Sequence, residues 1–496
     1  MNRKSAMRYG TILFFFLSAF WLIHCSPNEP RNAPTDMPEE EGLAKLHCKS
    51  CHIYPEPELL DRTTWMRVLT SMELEMKDSD YQIPTEDWYA IQRFYLNQSP
   101  NLLGEPAHKR LDKASQLFRS SDLLEKVPNA APLVTLLQFD PASQTLFAGD
   151  YFGNLFEFDK NGLIGNYNIQ NVPVCVNHKP QEGLLEILCI GSLMPSDEMT
   201  GQLIQLNREG EQQILVDSLI RPVHFLNLDL DNDGVQEYLI ASFGSTREKV
   251  NTGKLSIFTA ENGVYREKVI KQLPGALQSI AGDFNGDGLG DFMALFAQGR
   301  EIISLFINKG GLEFEEKQLL EFSPLNGSNS FELVDMDGDS DLDIVMTNGD
   351  NGDNGLTYKY YHGVRIFTNN GRYEFKETYF FPVNGASKVI VRDFDGDGDP
   401  DMAVLAMFPN LFRWPQETLL VFNNKKRGRF EPTYLEKEPS ARWMVMTAGD
   451  MDQDGDEELM VGANYKLNVL LPPAYKEKWQ QNQLSYLLFS NLLSDQ

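Results

Sequence analysis

The chain has 496 residues, which is enough for a large hydrophobic core and for more than one domain. Its formal net charge is −27, from 71 acidic and 44 basic residues without a basic cluster, which argues against a nucleic-acid-binding protein. The five cysteines are an odd number and two of them form a CxxC pair, so the composition also argues against a generic disulfide scaffold.

The first 25 residues resemble a bacterial lipoprotein signal. Basic residues precede an apolar run over residues 11–23, which has the form of an export signal and is short for a membrane span. Leu22 fits the lipoprotein pattern, whereas His24 departs from it because a small residue normally precedes the cysteine. The resemblance implies that Cys25 becomes the lipidated first residue, which also accounts for the odd cysteine. An ordinary export signal and an uncleaved anchor remain alternatives.

On this interpretation the protein is exported and held as a lipoprotein on the periplasmic side or cell surface of a bacterial membrane. Residues 26–41 are rich in Pro, Glu and Asn, a composition that predicts a tether between the anchor and the first folded domain.

A CxxCH motif follows the tether and is the attachment signature of c-type haem. Cys48 and Cys51 would each add to a vinyl group of the haem, and His52 would be held under the iron as an axial ligand. A zinc site would need a second ligand pair, and residues 53–107 contain none. A redox-active CxxC would need a βαβ context, which the surrounding sequence does not offer.

The sequence around the motif instead predicts three short helices, over 41–49, over 61–72 and from Thr85 to just before Pro100. Three short helices with CxxCH resemble a small class I cytochrome c domain, which we assign to residues 42–101.

Cytochromes often use methionine as the sixth haem ligand. Met66, Met72 and Met76 are candidates, and Met72 is preferred because it follows the helix that contains Trp65. The separation from His52 is short for a typical cytochrome c, so a five-coordinate haem is the alternative.

After a polar connector over 102–116, the sequence from 117 to 475 repeats with a period of about fifty residues, which is typical of stacked or circular architectures. The segment 118–128 resembles the fourth strand of the sixth unit, 430–439, and the last unit lacks such a strand. We interpret 118–128 as the strand that closes a ring, which predicts a seven-bladed β-propeller rather than an open solenoid, followed by a tail over 476–496. First strands are predicted to begin near residues 133, 174, 223, 277, 331, 387 and 443.

Five of the seven units carry an Asp-rich loop between their first two strands, and the first aspartates lie 54, 52, 58 and 57 residues apart. Carboxylates at loop positions 1, 3, 5 and 9, with a turn-forming glycine at position 6, supply the oxygen ligands that calcium prefers. We predict up to five calcium ions with a structural role. The predicted ligands are Asp229, Asp231, Asp233, Glu237, Asp283, Asn285, Asp287, Asp291, Asp335, Asp337, Asp339, Asp343, Asp393, Asp395, Asp397, Asp401, Asp450, Asp452, Asp454 and Glu458.

These loops are not EF-hands, which need a bidentate Glu at position 12, where the first two loops carry Ile240 and Ala294. The flanking runs are strand-like, so each loop should join the two strands of a β-hairpin. Metal-free Asp/Gly turns are the simpler alternative, although turn preference accounts for one or two acids and not for four or five. Magnesium suits so flexible a cage less well than calcium.

The loops and their alternating strands resemble the FG-GAP/VCBS repeat family over residues 223–471, and residues 133–210 share only the phase of the repeat. This resemblance implies an integrin-type propeller with calcium in the hairpin between the first two strands of a blade. Ser340 in place of glycine and Asn285 in place of an acid are mild departures.

Outside the loops, Cys175 and Cys189 are predicted on adjacent strands, either as a cross-strand disulfide or as two buried free thiols.

Three functions are consistent with the sequence. The leading hypothesis is a membrane-tethered c-type cytochrome that passes electrons to a redox partner, with the propeller as a binding platform. The second is a calcium-dependent propeller that binds a glycan or a surface protein without a redox role. The third is a haem-coupled oxidoreductase with a substrate site in the propeller channel, as in quinone-dependent dehydrogenases. The third is the weakest, because no catalytic cluster is evident apart from the metal loops.

Overall fold

The computed structural model describes residues 39–50, 52–76, 81–104, 111–113, 117–121, 132–194, 196–244, 252–351, 357, 359–426, 428–465 and 471–493. The predicted signal with its lipidation site Cys25, most of the predicted tether and the second haem-attachment residue Cys51 lie outside these residues.

Three helices form at the N-terminal end: α1 (Glu39–Cys48), α2 (Arg62–Met76) and α3 (Thr85–Gln98). Acidic residues in the first turn of α1 and basic residues in its last turn complement the helix dipole. Helices α1 and α2 both pack against α3. The shared core is aromatic, with the Trp65 and Tyr95 rings 4.2 Å apart between centroids. The helices therefore lie close to where the sequence predicts them.

The rest of the described chain is almost entirely β-structure. Two short strands come first, β1 (Asp112–Lys113) and β2 (Phe118–Ser121). Blades 1 to 3 follow, with strands β3 (Val134–Asp140), β4 (Thr145–Asp150), β5 (Asn154–Asp159), β6 (Gly162–Asn168); β7 (Pro173–Lys179), β8 (Leu184–Cys189), β9 (Gly201–Asn207), β10 (Gln212–Leu219); β11 (Pro222–Leu228), β12 (Glu237–Ser242), β13 (Lys254–Glu261) and β14 (Val264–Gln272).

Blades 4 to 6 repeat the same meander. Their strands are β15 (Ala276–Gly282), β16 (Asp291–Gln298), β17 (Arg300–Asn308), β18 (Phe314–Phe322); β19 (Ser328–Val334), β20 (Asp343–Asn348), β21 (Gly363–Asn369), β22 (Phe375–Pro382); β23 (Ala386–Arg392), β24 (Asp401–Ala406), β25 (Leu419–Asn424) and β26 (Phe430–Tyr434). Strand β1 adds to the outer edge of blade 6, parallel to β26.

Blade 7 is built from both ends of the propeller sequence. Strands β27 (Trp443–Gly449) and β28 (Glu458–Ala463) are followed by helix α4 (Pro473–Asn482) and by β29 (Tyr486–Asn491). The outer fourth strand is β2, which pairs antiparallel with β29. The seven-bladed propeller and its closure by the segment near residue 118 are thus confirmed. The last blade runs on to Asn491 rather than ending at 475, because its third strand follows an inserted helix that interrupts the repeat.

The core lies between the blades and not within them. Each neighbouring pair of blades shares one apolar cluster, and the seven clusters form a continuous ring from the pair 1–2 to the pair 7–1. Second strands such as β12 and β24 are buried along their whole length, because both of their faces contact neighbouring blades. First strands such as β11 and β15 are only partly buried at most positions, because they line the central channel.

The channel has a volume of about 660 Å³ and is lined by first strands of all seven blades. Polar side chains on these strands reach across to the backbone of the next blade. The Gln278 amide donates to the Phe331 carbonyl (3.0 Å), and the Gln138 amide donates to the Val176 carbonyl (2.6 Å). These bonds join neighbouring inner strands, which do not pair directly.

The helical segment packs on one face of the propeller. Leu325 and Tyr361 belong to its core cluster, and the Tyr361 hydroxyl donates to the Leu59 carbonyl at 3.0 Å. Both propeller residues lie in connections from a fourth to a first strand or from a second to a third strand. In a meander these connections lie opposite the loops between first and second strands, so the helices sit on the face away from the Asp-rich loops. Among the described residues, no helix is both long and apolar enough to span a membrane.

Candidate functional site

The five Asp-rich loops share one backbone scaffold, which the loop of blade 6 illustrates. The carboxylate at position 1, Asp393, accepts the Gly398 N–H at 2.9 Å and so closes the turn. The carboxylate at position 9, Asp401, is fully buried at the start of β24 and accepts the Phe394 N–H at 3.0 Å. Its other oxygen accepts the Asn424 N–H at 2.7 Å. The sequence forms this loop because alternate acids can bond the amides of their own turn.

The same pattern recurs in the other four loops. In each, the position-1 acid accepts the position-6 N–H, and the position-9 acid accepts the position-2 N–H. The position-1 pairs are Asp229 with Gly234, Asp283 with Gly288, Asp335 with Ser340 and Asp450 with Gly455. The position-9 pairs are Glu237 with Leu230, Asp291 with Phe284, Asp343 with Met336 and Glu458 with Met451. Ser340 adopts the positive φ of 74° that glycine supplies elsewhere, so that departure leaves the turn intact.

Four of the loops bring three carboxylates together with ligand oxygens within 4.8 Å of one another. In blades 3, 6 and 7 the three acids are at positions 1, 3 and 9, and in blade 5 they are at positions 1, 3 and 5. The groups are Asp229, Asp231, Glu237; Asp335, Asp337, Asp339; Asp393, Asp395, Asp401; and Asp450, Asp452, Glu458. The predicted ligands Asp233, Asp343, Asp397 and Asp454 lie in the same loops outside these groups, and the blade 4 loop with Asn285 forms no such group among the described residues.

The chemistry of the loops fits a hard cation. In each of three loops, a buried carboxylate oxygen has no hydrogen-bond partner among the described residues; these atoms are Asp229 Oδ1, Asp395 Oδ1 and Glu458 Oε1. Burial, followed by repulsion from neighbouring acids, raises the pKa of Asp401 and of Glu458 to about 7. A divalent cation would neutralise this repulsion and satisfy the unpartnered oxygens.

One recurring contact of the Asp-rich loops was not predicted from the sequence. An asparagine at the end of the third strand connects that strand to the loop in four blades. The Asn308 amide, for example, donates to the Gly290 and Leu230 carbonyls, and the Asn308 N–H donates to Asp291 at 2.8 Å. The equivalent residues are Asn369, Asn424 and Asn491. A recurring Phe-x-Asn at the ends of β17, β21, β25 and β29 is the signal that could have identified them.

The two described residues of the haem-attachment motif lie together at the end of α1. Cys48 is the last residue of the helix, and its sulfur lies 3.9 Å from the Tyr95 hydroxyl. His52 is only 7% exposed, and its Nδ1 lies 2.8 Å from the Ile53 carbonyl, to which it donates. Burial lowers the pKa of His52 and keeps the imidazole neutral, the form that ligates iron. The Nε2 atom has no hydrogen-bond partner among the described residues, so it is available as a metal ligand.

The methionine candidates differ in exposure. Met66 is 54% exposed, whereas Met72 and Met76 are partly buried against the cluster that also contains Cys48. The preferred candidate Met72 therefore shares a core with the attachment cysteine, and Met66 points toward solvent.

Cys175 and Cys189 are free thiols. Cys175 pairs with Leu188 in the register of β7 and β8, and Cys189 pairs with Pro173, so the two cysteines are not cross-strand partners. They also lie in different apolar clusters, Cys189 between blades 1 and 2 and Cys175 between blades 2 and 3. Burial raises the pKa of both thiols, to about 11 for Cys175, so they remain protonated at neutral pH.

Comparison with known proteins supports the repeat assignment. Residues 283–346 match the model of the FG-GAP-like repeat, a segment that contains the Asp-rich loops of blades 4 and 5. No curated protein matches the sequence. Solved structures that resemble this chain include the N-terminal domain of Nup159 (10% identity, TM-score 0.41, covering 78% of this chain and 99% of that one). The Neurospora crassa Pan2 WD40 domain is similar at 11% identity and a TM-score of 0.44, covering 77% and 98%. At these values the likeness carries no information about activity.

Proposed function

We propose that the protein is an exported, lipid-anchored c-type cytochrome that passes electrons to a redox partner, with the calcium-stabilised propeller as the platform on which that partner binds. The observation that carries this proposal is the position of Cys48 in the same motif as a buried His52. The Nδ1 atom of that histidine already donates to a backbone carbonyl. Such a bond fixes the imidazole tautomer and leaves Nε2 for an iron ligand, which is the arrangement of a metal-binding histidine.

Cys48, Cys51 and His52 would hold the haem, which when bound supplies one-electron redox chemistry. The residues around it have separate tasks. The Ile53 carbonyl orients the imidazole and raises its basicity through the Nδ1 hydrogen bond. Trp65 and Tyr95 are almost fully buried beside this segment and exclude water from it. Met72, partly buried in the same cluster, is the residue we assign as sixth ligand, and an empty sixth position is the alternative.

The propeller contributes rigidity and surface. Calcium at the Asp-rich loops would hold the first hairpins of those blades in place on one face, while the opposite face carries the helical segment. The hydrogen bond between Tyr361 and Leu59 and the contact of the Thr64 and Thr357 hydroxyls (3.0 Å) tie the two parts together. A partner bound to that face of the propeller would therefore lie near the haem-attachment segment.

A second function is favoured by the acidic loops themselves. The repeat match falls on two of them, and FG-GAP-like propellers suit ligand binding. The protein would then be a calcium-dependent propeller that binds a glycan or a surface protein, without a redox role. Haem content separates the two functions.

The test is an absorption spectrum, oxidised and dithionite-reduced, of the full chain expressed with a cytochrome maturation system. A matched control carries Cys48→Ser and Cys51→Ser. We expect a sharp reduced α-band and a haem that stays attached after denaturation, both lost in the control. Met72→Ala should lower the reduction potential if Met72 is the sixth ligand, because a thioether ligand raises it. Protein that matures without covalent haem would contradict electron transfer and favour the binding propeller.

A further inference from the structure

Arg442 is a buried cation without a counter-ion. The residue immediately precedes β27 and is 6% exposed. Its guanidinium forms no ion pair or hydrogen bond with any residue that the structure describes, and its Nη1 is completely buried without a partner. The guanidinium lies over the Phe408 ring, whose centroid is 5.6 Å from Cζ. Burial lowers the pKa of this arginine to about 10, and no neighbouring carboxylate opposes that effect. Burial of an unpaired charge is costly, so such a group normally has a partner.

The space beside Arg442 is a cavity of about 210 Å³ between blades 6 and 7. Its walls are mostly apolar and include four aromatic residues, Phe408, Phe412, Trp443 and Trp479. The Trp443 indole donates to Glu436 at 2.7 Å and the Trp479 indole donates to the Pro439 carbonyl at 3.0 Å, so both N–H groups are already used. Phe412 lies at the rim and is 67% exposed. The cavity thus offers one cation and an apolar surround.

A second polar atom in the cavity also lacks a partner. Asn351 is 3% exposed, lines the cavity and has an unbonded Oδ1. The other two asparagines of the wall are already bonded. Asn384 donates to the Phe408 carbonyl at 2.8 Å, which holds the Phe408 backbone in position, and Asn410 accepts the Arg413 N–H at 3.2 Å. The unbonded Asn351 oxygen can only accept a hydrogen bond, so the unpaired guanidinium is the group that would hold a charged ligand. A guanidinium beside a mostly apolar space is complementary to a ligand with an anionic end and an apolar body.

We propose that this cavity binds a small organic carboxylate, with the carboxylate on Arg442 and an aryl or short aliphatic body against Trp443 and Trp479. Size supports the class, because an apolar cavity of about 150 Å³ already holds a benzene molecule. Charge supports it as well, because arginine pairs with carboxylates through two parallel hydrogen bonds.

The site lies on the same face as the helical segment. The loop after β20 contributes Asn351 to the cavity and Tyr361 to the helical contact. The proposed electron transfer does not require this cavity, and a bound carboxylate would add a ligand-dependent function to the same side of the molecule.

The experiment measures the melting temperature and the tryptophan fluorescence of the full chain with sodium acetate, benzoate or phenylacetate. The corresponding amides and sodium chloride at equal ionic strength are the ligand controls. Arg442→Gln removes the cavity charge, and Arg413→Gln, an exposed arginine of the neighbouring loop, makes the same charge change outside the cavity.

We expect at least one carboxylate to raise the melting temperature of the wild type and of Arg413→Gln. Its amide should bind at least about tenfold more weakly, which corresponds to one charge-assisted hydrogen bond. Arg442→Gln should lose this preference for the carboxylate. Without ligand, Arg442→Gln should melt above the wild type, because an unpaired buried charge is removed.

Two results of the ligand titration would overturn the proposal, and so would one result without ligand. One is the absence of any carboxylate effect up to about 10 mM, where ligands of about 1 mM affinity would nearly saturate the site. The other is an equal effect on the wild type and on Arg442→Gln. If Arg442→Gln melts below the wild type without ligand, the arginine has a structural role instead and the proposal also fails.

Discussion

Single side chains on the inner strands hold the ring together around the channel. Because the first strands of adjacent blades do not pair directly, a side chain from one blade bonds the backbone of the next. His224 on β11 is one of these, and its Nδ1 accepts the Ser279 N–H of β15 at 3.4 Å. This bond needs a neutral imidazole. Burial, helped by the nearby Lys388 charge, lowers the pKa of His224 to about 4.

We expect this residue to make the propeller sensitive to acid. The folded-state pKa of His224, about 4, lies below its usual value of 6.5, so the unfolded chain binds more protons between these pH values. The contribution of neutral His224 to stability is therefore complete above about pH 6.5 and is lost as the pH falls toward 4. We expect His224→Gln, which keeps an acceptor for Ser279, to flatten the stability profile in this window by about 2–3 kcal/mol.

Urea denaturation of both proteins from pH 7.5 to pH 4 provides the measurement. Other groups titrate equally in both proteins, so the difference between the two curves isolates the histidine. Parallel curves over this range would show that His224 is solvated in the channel and does not contribute.

The Asp-rich hairpin is the element that the sequence identifies best. Its acids alternate at positions 1, 3 and 5, and a further acid at position 9 distinguishes the loop from an EF-hand, so position 1 and position 9 could be assigned without coordinates. The third-strand asparagine was harder to see. Asn308 follows Asp291 by 17 residues and Asn424 follows Asp401 by 23, because the connection between the second and third strands varies in length. A contact that crosses a connection of variable length leaves no fixed spacing in the sequence.

The blade 5 loop allows a test within one element. Asp337 belongs to its carboxylate group, whereas Asp341 lies four residues further and outside it. Burial and repulsion from Asp339 raise the pKa of Asp337, so without metal Asp337→Asn should leave the melting temperature unchanged or slightly higher. With calcium the same change should lose a charged ligand and reduce the calcium-induced rise in melting temperature.

Asp341→Asn makes the same charge change in the same loop and is the control. Calorimetry with calcium and with chelator, on the wild type and both variants, gives the comparison. The calcium assignment of this loop would be wrong if both variants lost the same part of the calcium effect, since that would reflect overall charge rather than coordination.

At the scale of the whole molecule, the number of blades and the start of each could be predicted from the sequence. The predicted first-strand positions lie within three residues of the observed ones in all seven blades, because the alternation of apolar residues and the loop spacing fix the phase. The end of the ring could not be predicted. Helix α4 separates β28 from β29, so the third strand of blade 7 lies in the segment that was predicted to be a C-terminal tail. Nor does the sequence indicate the cavity of Arg442, whose walls come from three blades and from α4.

Closure of the ring rests on β2, and this strand also connects the helical segment to the propeller. Phe118 on β2 is 6% exposed, lies 5.8 Å from Phe394 between ring centroids and belongs to the apolar cluster of blades 6 and 7. We expect Phe118→Ala to lower the free energy of unfolding by about 3–5 kcal/mol, the usual cost of emptying a buried phenylalanine site. Ser120→Ala on the same strand keeps the backbone pairing with Phe489, changes an exposed side chain and should cost less than about 0.5 kcal/mol.

Urea midpoints of the two variants, with limited proteolysis between the helical segment and blade 1, measure both effects. Because an N-terminal strand and a C-terminal strand meet in blade 7, loosening that pair should open the ring and expose the connector to protease in Phe118→Ala alone. Equal midpoints and equal cleavage in the two variants would mean that the other six inter-blade clusters hold the ring without this strand.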